Sequence, residues 1–328
     1  MPHEISNVSG QDEVFVVGTP AWHGLGRRVD AAVTSEDAIK LAGLDWNVEQ
    51  RELSMPDGTV VPDRLANVRK DASGKDLYLG TVSTSYRIIQ NTESFTFFDS
   101  VVGQKLAMYH TAGALKQGRK VWILAKLPGE LVVGSKDVTE KYLLLSNSHD
   151  GSSTLRMFFT PVRVVCQNTL NLALNRAGEK EGISIHHSGK VDDKVAEAVR
   201  VLKIANKKYE ELEKIFNAFQ QHSVGTSDVT DYFKKVLPDE PETNNAAKER
   251  MRGEMFQNYK HGVGADMSFG SLWGAYNAVT EYFDHTRYAG KKTAVNVEGR
   301  MESIMFGGAY ATKQKAFDLA YEAVAGAL

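Results

Sequence analysis

Apolar residues recur at steps of three and four from Val195 through Val199, Leu202, Ala205, Tyr209, Leu212, Ile215, Phe216 and Phe219. That spacing puts them on one face of a long helix, with Lys203, Lys207, Lys208, Glu210, Glu211 and Lys214 on the opposite, solvated face. Upstream the pattern is different. Residues 1–188 alternate short strand-like runs with turn signals, whereas residues 189–328 read as almost wholly helical. The chain is therefore expected to be α+β, with a mixed core domain over 1–188 and a helical C-terminal region over 189–328.

Within the first part, Thr34 or Ser35 can cap a short helix that Gly43 ends after Leu41. Strands are predicted over Trp46–Leu53, Val60–Val68 and Leu77–Ser83, divided by the turns Met55–Gly58 and Asp71–Gly74. Asn91 is expected to cap a helix over Asn91–Val102. This β-β-β-α unit with short connections predicts an antiparallel meander. Further strands are expected over Lys105–Leu115, Lys120–Lys126, Tyr142–Ser146 and Leu155–Thr160, with Ile183–His187 as one more. Pro161 is expected to open a helix, where its missing N–H is tolerated. In the helical part, Leu237–Pro241 reads as a break. Helices are expected over Asn244–Tyr259, Leu272–His285 and Thr312–Ala325.

One cysteine, Cys166, rules out an intramolecular disulfide and a cysteine-based zinc site. No basic leader followed by an apolar run is visible at the start, and no run approaches the length of a membrane span. A cytoplasmic protein with no membrane partner is the expectation.

The net charge of −2 is small, but the charge is segregated. Lys105, Lys116, Arg119, Lys120 and Lys126 stand without an acid between Val101 and Lys126. Arg156, Arg163 and Arg176 do the same between Gly151 and Arg176. Such segregation can give a near-neutral protein one basic face, as a phosphate backbone requires. The predicted hairpin Lys116–Lys120 would project its cations together. Tyr86, Tyr109, Trp122, Phe158 and Phe159 interleave nearby, and exposed aromatics can stack on bases.

No catalytic constellation stands out. Trp22-His23-Gly24-Leu25-Gly26-Arg27-Arg28 lacks the spacing of a dinucleotide or P-loop signature. It suits an arm that docks on a neighbouring subunit at least as well. His149 and Asp150 lie in a polar turn and could serve a hydrolase or nuclease with a metal, as could His23. His186 and His187 would point to opposite faces of a strand, which is poor geometry for one ion.

Several strings together resemble one family. They are Trp22–Gly26, the Ser85-Tyr86 to Asn91 junction, Ser148–Ser152, Pro161–Leu170, and Trp273–Tyr282 followed by Asp284-His285. The family is that of the bacterial phage/plasmid-like proteins built on the domain of unknown function numbered nine hundred and thirty-two. A more distant similarity of topology is to single-strand annealing proteins of the Redβ and Erf type, which share a β-β-β-α core. That similarity implies a homo-oligomeric ring or filament holding single-stranded DNA in a basic groove, without a cofactor. On this reading Lys116, Arg119, Lys120, Arg156 and Arg163 would neutralise phosphates. Tyr86, Tyr109 and Phe158 would stack on bases, and a phage exonuclease or a host protein is a further partner. The rival expectations are a protein-interaction or anti-defence module, binding through Tyr276, Tyr282 and Tyr288 of the tail, and the metal-dependent hydrolase or nuclease.

Overall fold

A computed structural model describes residues 13–17, 27–30, 34–102, 108–153, 155–163, 183–184, 191–241, 244–288 and 297–327. The fold is α+β: two sheets, largely antiparallel, followed from Val191 onward by helices.

The larger sheet has eight strands. They are β1 (Val14–Val17), β2 (Arg27–Val29), β6 (Met108–Leu115), β7 (Lys120–Val133), β8 (Asp137–Ser148), β9 (Arg156–Phe159), β10 (Val162–Arg163) and β11 (Ile183–Ser184). The order is β11-β9-β8-β7-β6-β1-β2, with β10 also pairing β8, and among the described residues only β1 and β2 run parallel. Between them in sequence comes a three-stranded antiparallel meander of β3 (Val48–Ser54), β4 (Val60–Lys70) and β5 (Asp76–Ser83). It is flanked by α1 (Ser35–Leu41) and α2 (Asn91–Val102).

The turn chemistry explains the local structure. Thr34 accepts from the Asp37 N–H to cap α1, and Gly43, at φ +63°, supplies the left-handed residue that ends it. Asp57 and Asp71 accept backbone N–H groups inside the two meander turns, whose Gly58 and Gly74 also have positive φ.

Four sequence expectations are corrected. Pro161 does not open a helix. β9 and β10 lie one after the other along the same edge of β8, and Pro161 falls in the gap between them. A residue with no N–H to give a ladder fits a gap of that kind. Residues 164–182, with Cys166, lie outside the described part. Asn91 is the first residue of α2 but does not cap it. Its amide is spent elsewhere, and the first turn is served by Glu93, which accepts from the Gln90 N–H at 2.8 Å. β7 does not stop at Lys126 but continues past Pro128 and Gly129 to Val133, with a register irregularity between Lys126 and Glu130. Two helices, α4 (Thr226–Val236) and α7 (Val297–Met305), join the expected α3 (Val191–Gln221), α5 (Ala246–His261), α6 (Leu272–Asp284) and α8 (Gly308–Val324).

The long helix α3 ties the helical part to the sheet. Its Asn217 accepts from the Gly134 N–H at 2.9 Å and donates to Val132 O at 3.0 Å. Tyr209, fully buried, accepts from the Tyr142 N–H at 2.9 Å. Behind it Phe216, Phe219, Trp273, Tyr276 and Phe317 form one aromatic cluster. Trp273 Nε1 donates to Asp137 at the β7–β8 turn, 2.8 Å away. Strand and helix residues thus share one contiguous apolar core. Tyr276 and Tyr282 lie in that core, 0% and 4% exposed, so neither is the partner-binding tyrosine expected of the tail. The Tyr288 side chain is outside the described residues. Among those residues no helix is long and apolar enough to cross a membrane.

Candidate nucleic-acid interface

The predicted cations do not form an open cluster. The Lys116–Lys120 turn is a tight one, with Lys116 and Gln117 at φ +53° and +59° and Gly118 at +97°. Lys116 Nζ lies 2.6 Å and Lys120 Nζ 3.6 Å from the same Glu302 carboxylate on α7, and Lys120 also sits over Phe306. The hairpin is a staple for α7. Lys126 is likewise paired with Glu140. Lys105 lies outside the described residues.

The aromatics divide in the same way. Tyr109 is 1% exposed and donates to Phe95 O at 3.0 Å, so it belongs to the core and presents no ring to a base. Burial raises its phenol pKa far above the ordinary value, and Asp99 adds to that. Trp122 and Phe159 are buried too. The side chains of Phe158 and Arg163 lie outside the described part, though their backbones belong to β9 and β10. Arg156 is half-buried and stands opposite Ser146 in the ladder.

What remains at the surface converges at the junction of the two sheets. The Arg119 guanidinium stands 5.9 Å from the ring centroid of Tyr78, an aromatic 47% exposed on β5. Tyr86, half-buried, donates to Ser148 O at 2.9 Å, and burial, helped by Asp150, raises its pKa. Hydroxyl side chains gather here: Ser83 with Ser85 at 2.9 Å and Tyr78 with Thr81 at 2.8 Å, while Ser148, 2.7 Å from Ser153, is itself buried. Arg64, exposed, stands opposite Ser83. Tyr78 was not singled out by sequence reasoning, because it stands between Leu77 and Leu79 in a run that reads as core strand.

A buried polar cluster holds this surface in place. Arg69, 1% exposed, gives both terminal nitrogens to Glu13, at 3.2 and 3.0 Å, and lies 4.2 Å from the Trp46 ring centroid. Asn67 donates to His149 O at 2.7 Å. Gly80 lets the meander approach the 149–152 turn closely, because a Cβ there would come within 2.6 Å of Asp150 Cα.

His149 belongs to this cluster. Its Nε2 is 2.9 Å from Asn91 Oδ1, while the Asn91 amide nitrogen donates to Leu44 O at 3.0 Å. That orientation makes Nε2 the donor. Burial, with Arg69 beside it, lowers the His149 pKa to about 4. A fully buried imidazole engaged in this way is a strut and not a solvent-facing base. Asp150 accepts the Ser152 N–H at 2.9 Å to close the turn. Among the described residues no group of three or more His, Cys, Asp or Glu side chains gathers for a metal ion. His23, His186 and His187 lie outside them.

No curated protein and no solved structure compared with the chain gives a significant match. The family model described as Domain of unknown function (DUF932) matches residues 78–305, more than two thirds of the chain and including β5 from Tyr78 onward, Arg119 and the 149–152 turn. On that match, the chain belongs to the DUF932 family.

Proposed function

We propose that the chain binds single-stranded nucleic acid, as a homo-oligomeric protein of the annealing type. Its contact surface is the Tyr78–Arg119 pair flanked by Tyr86, not a groove of lysines. The observation that carries this is the half-exposed Tyr78 ring with the Arg119 guanidinium 5.9 Å away, set among hydroxyl-bearing turns. With the guanidinium over one face of the ring, a base can stack on the other, and such stacking is indifferent to sequence. Guanidinium and hydroxyl groups in turn suit phosphate oxygens. The β-β-β-α order of Val48–Val102 supports the analogy with annealing proteins at the level of topology alone. No cofactor enters this reading.

The test is fluorescence anisotropy of labelled single- and double-stranded oligonucleotides at two salt concentrations, with wild type, Tyr78→Ala and Arg119→Glu. Salt-sensitive binding that favours single strands and falls in both variants supports the proposal. Binding unchanged in both would sink this interface, and no binding at low salt would sink the function.

A second reading, contact with a protein, is favoured by Met55 and Val60. They stand 51% and 49% exposed on either side of the β3–β4 turn.

A further inference from the structure

A cleft of about 480 Å³ opens between α4 and α5, in the size range of natural binding pockets. Phe233 and Phe256 supply its apolar lining and Lys234 stands on its α4 side. Gly253, in the middle of α5, also lines it, and a Cβ built there meets nothing within 4 Å. Glycine inside a helix is unfavourable relative to alanine, and no close packing requires it here; lacking a side chain, it adds nothing to the cleft wall.

The same helix leads to the most exposed large apolar side chain among the described residues. Phe269 is 60% exposed, with Val263 at 55% nearby in sequence. Phe269 is not on a loose loop. Its N–H donates to Ala265 O at 2.7 Å, the Gly270 N–H to the Tyr259 hydroxyl at 2.9 Å, and Gly270 O accepts from the Val224 N–H at 3.0 Å. The turn is built to hold that ring out. An aromatic row joins it to the cleft: Phe269 to Tyr259 at 5.1 Å, and Tyr259 to Phe256 at 6.1 Å.

We propose that a second copy of this chain occupies the cleft: two α5 helices pack antiparallel, and Phe269 of each copy enters the Phe233–Phe256 cleft of the other. A protruding anchor and a recess on one helix face are self-complementary about a two-fold axis, so both contacts form at once. Of the charged residues that line the cleft, Arg252 is paired with Asp239, Glu249 is acidic, and Lys234 forms no ion pair among the described residues; exposed Asp266, which precedes Phe269 on the protruding turn, is placed to pair with that lysine. Other occupants of the cleft, a host protein for example, would leave the isolated chain monomeric.

Sedimentation equilibrium of the full chain without nucleic acid tests this; the inference rests on the homo-oligomeric part of the proposed function, while the Tyr78–Arg119 contact with nucleic acid is tested separately by anisotropy. Wild type is expected to be a dimer. Phe269→Ser should weaken dimerisation by roughly thirtyfold per anchor lost, as for a buried aromatic hot spot. Gly253→Leu, which fills the recess, should give monomers. Mixing the two variants should restore heterodimer, because one intact anchor then faces one open recess. Asp266→Lys and Lys234→Asp should each weaken the dimer, and together restore it. A monomeric wild type, a dimer indifferent to both Phe269→Ser and Gly253→Leu, or a higher oligomer would overturn the two-fold arrangement.

Discussion

Replacing Arg69 by Met tests how the meander is fixed to the main sheet. The side chains of Arg69 and Glu13 are 1% and 5% exposed, and their bidentate pair has Trp46 stacked against the guanidinium. Removing one partner of a buried pair strands the other charge, at a cost of about 3–5 kcal/mol. Loss of the cation–π contact adds about 1 kcal/mol, and protonation of Glu13 relieves part of the total, so a loss near 4 kcal/mol is expected. The double variant Arg69→Met with Glu13→Gln leaves no stranded charge and should cost about 2 kcal/mol less than the sum of the single changes. Urea unfolding followed by tryptophan emission measures all four proteins. If Arg69→Met alone costs under about 1 kcal/mol, or the double variant costs the full sum, the pair does not anchor the meander.

Other predictions concern packing, pH and the surface. Gly80→Ala should destabilise by about 1–3 kcal/mol in the same unfolding assay, because its Cβ would meet the backbone of Asp150 and force the sheets apart. His149 and His110 both have pKa values lowered by burial to about 4. Being neutral in the folded state, each contributes stability that is complete above the unfolded value near 6.5 and is lost as pH falls toward 4. That loss is roughly 3 kcal/mol per residue. A stability profile between pH 7 and 4 should be visibly flatter in His149→Gln, and an unchanged slope would contradict the buried neutral ring. Lys313→Ala should cost about 3–5 kcal/mol by removing one side of a buried pair with Asp284 that is 0% exposed on both sides. Glu302→Ala should free the α7 contact of the Lys116–Lys120 turn, raising proteolysis within Val297–Met305 while the sheet remains intact.

Most elements were legible because local chemistry marks their ends. The meander strands lie between Asp- and Gly-bearing turns, and α3 shows its buried stripe at helical spacing. Where the expectation failed, a distant residue decided. Pro161 suits a helix start locally, but pairing with Thr139 and Glu140 makes the next two residues a strand. Pro128 looks like a strand end, yet β8 holds β7 together on both sides of it. α4 was readable in hindsight, since Val229, Tyr232, Phe233 and Val236 share one buried face. The candidate site was less legible. Lys116 and Lys120 look like free cations until Glu302, 186 residues beyond Lys116, is brought beside them. Tyr109 and Tyr78 are both strand tyrosines, and only the layer packed over each face buries the first and exposes the second.

Photocrosslinking tests the nucleic-acid surface most directly. A single-stranded oligonucleotide carrying a photoreactive pyrimidine would be irradiated with the protein, and the adducts mapped by mass spectrometry. Adducts on Tyr78, or on the peptide containing it, lost in Tyr78→Ala and reduced at higher salt, are the predicted result. Adducts confined elsewhere, or none under conditions where the oligonucleotide binds, would contradict the assignment.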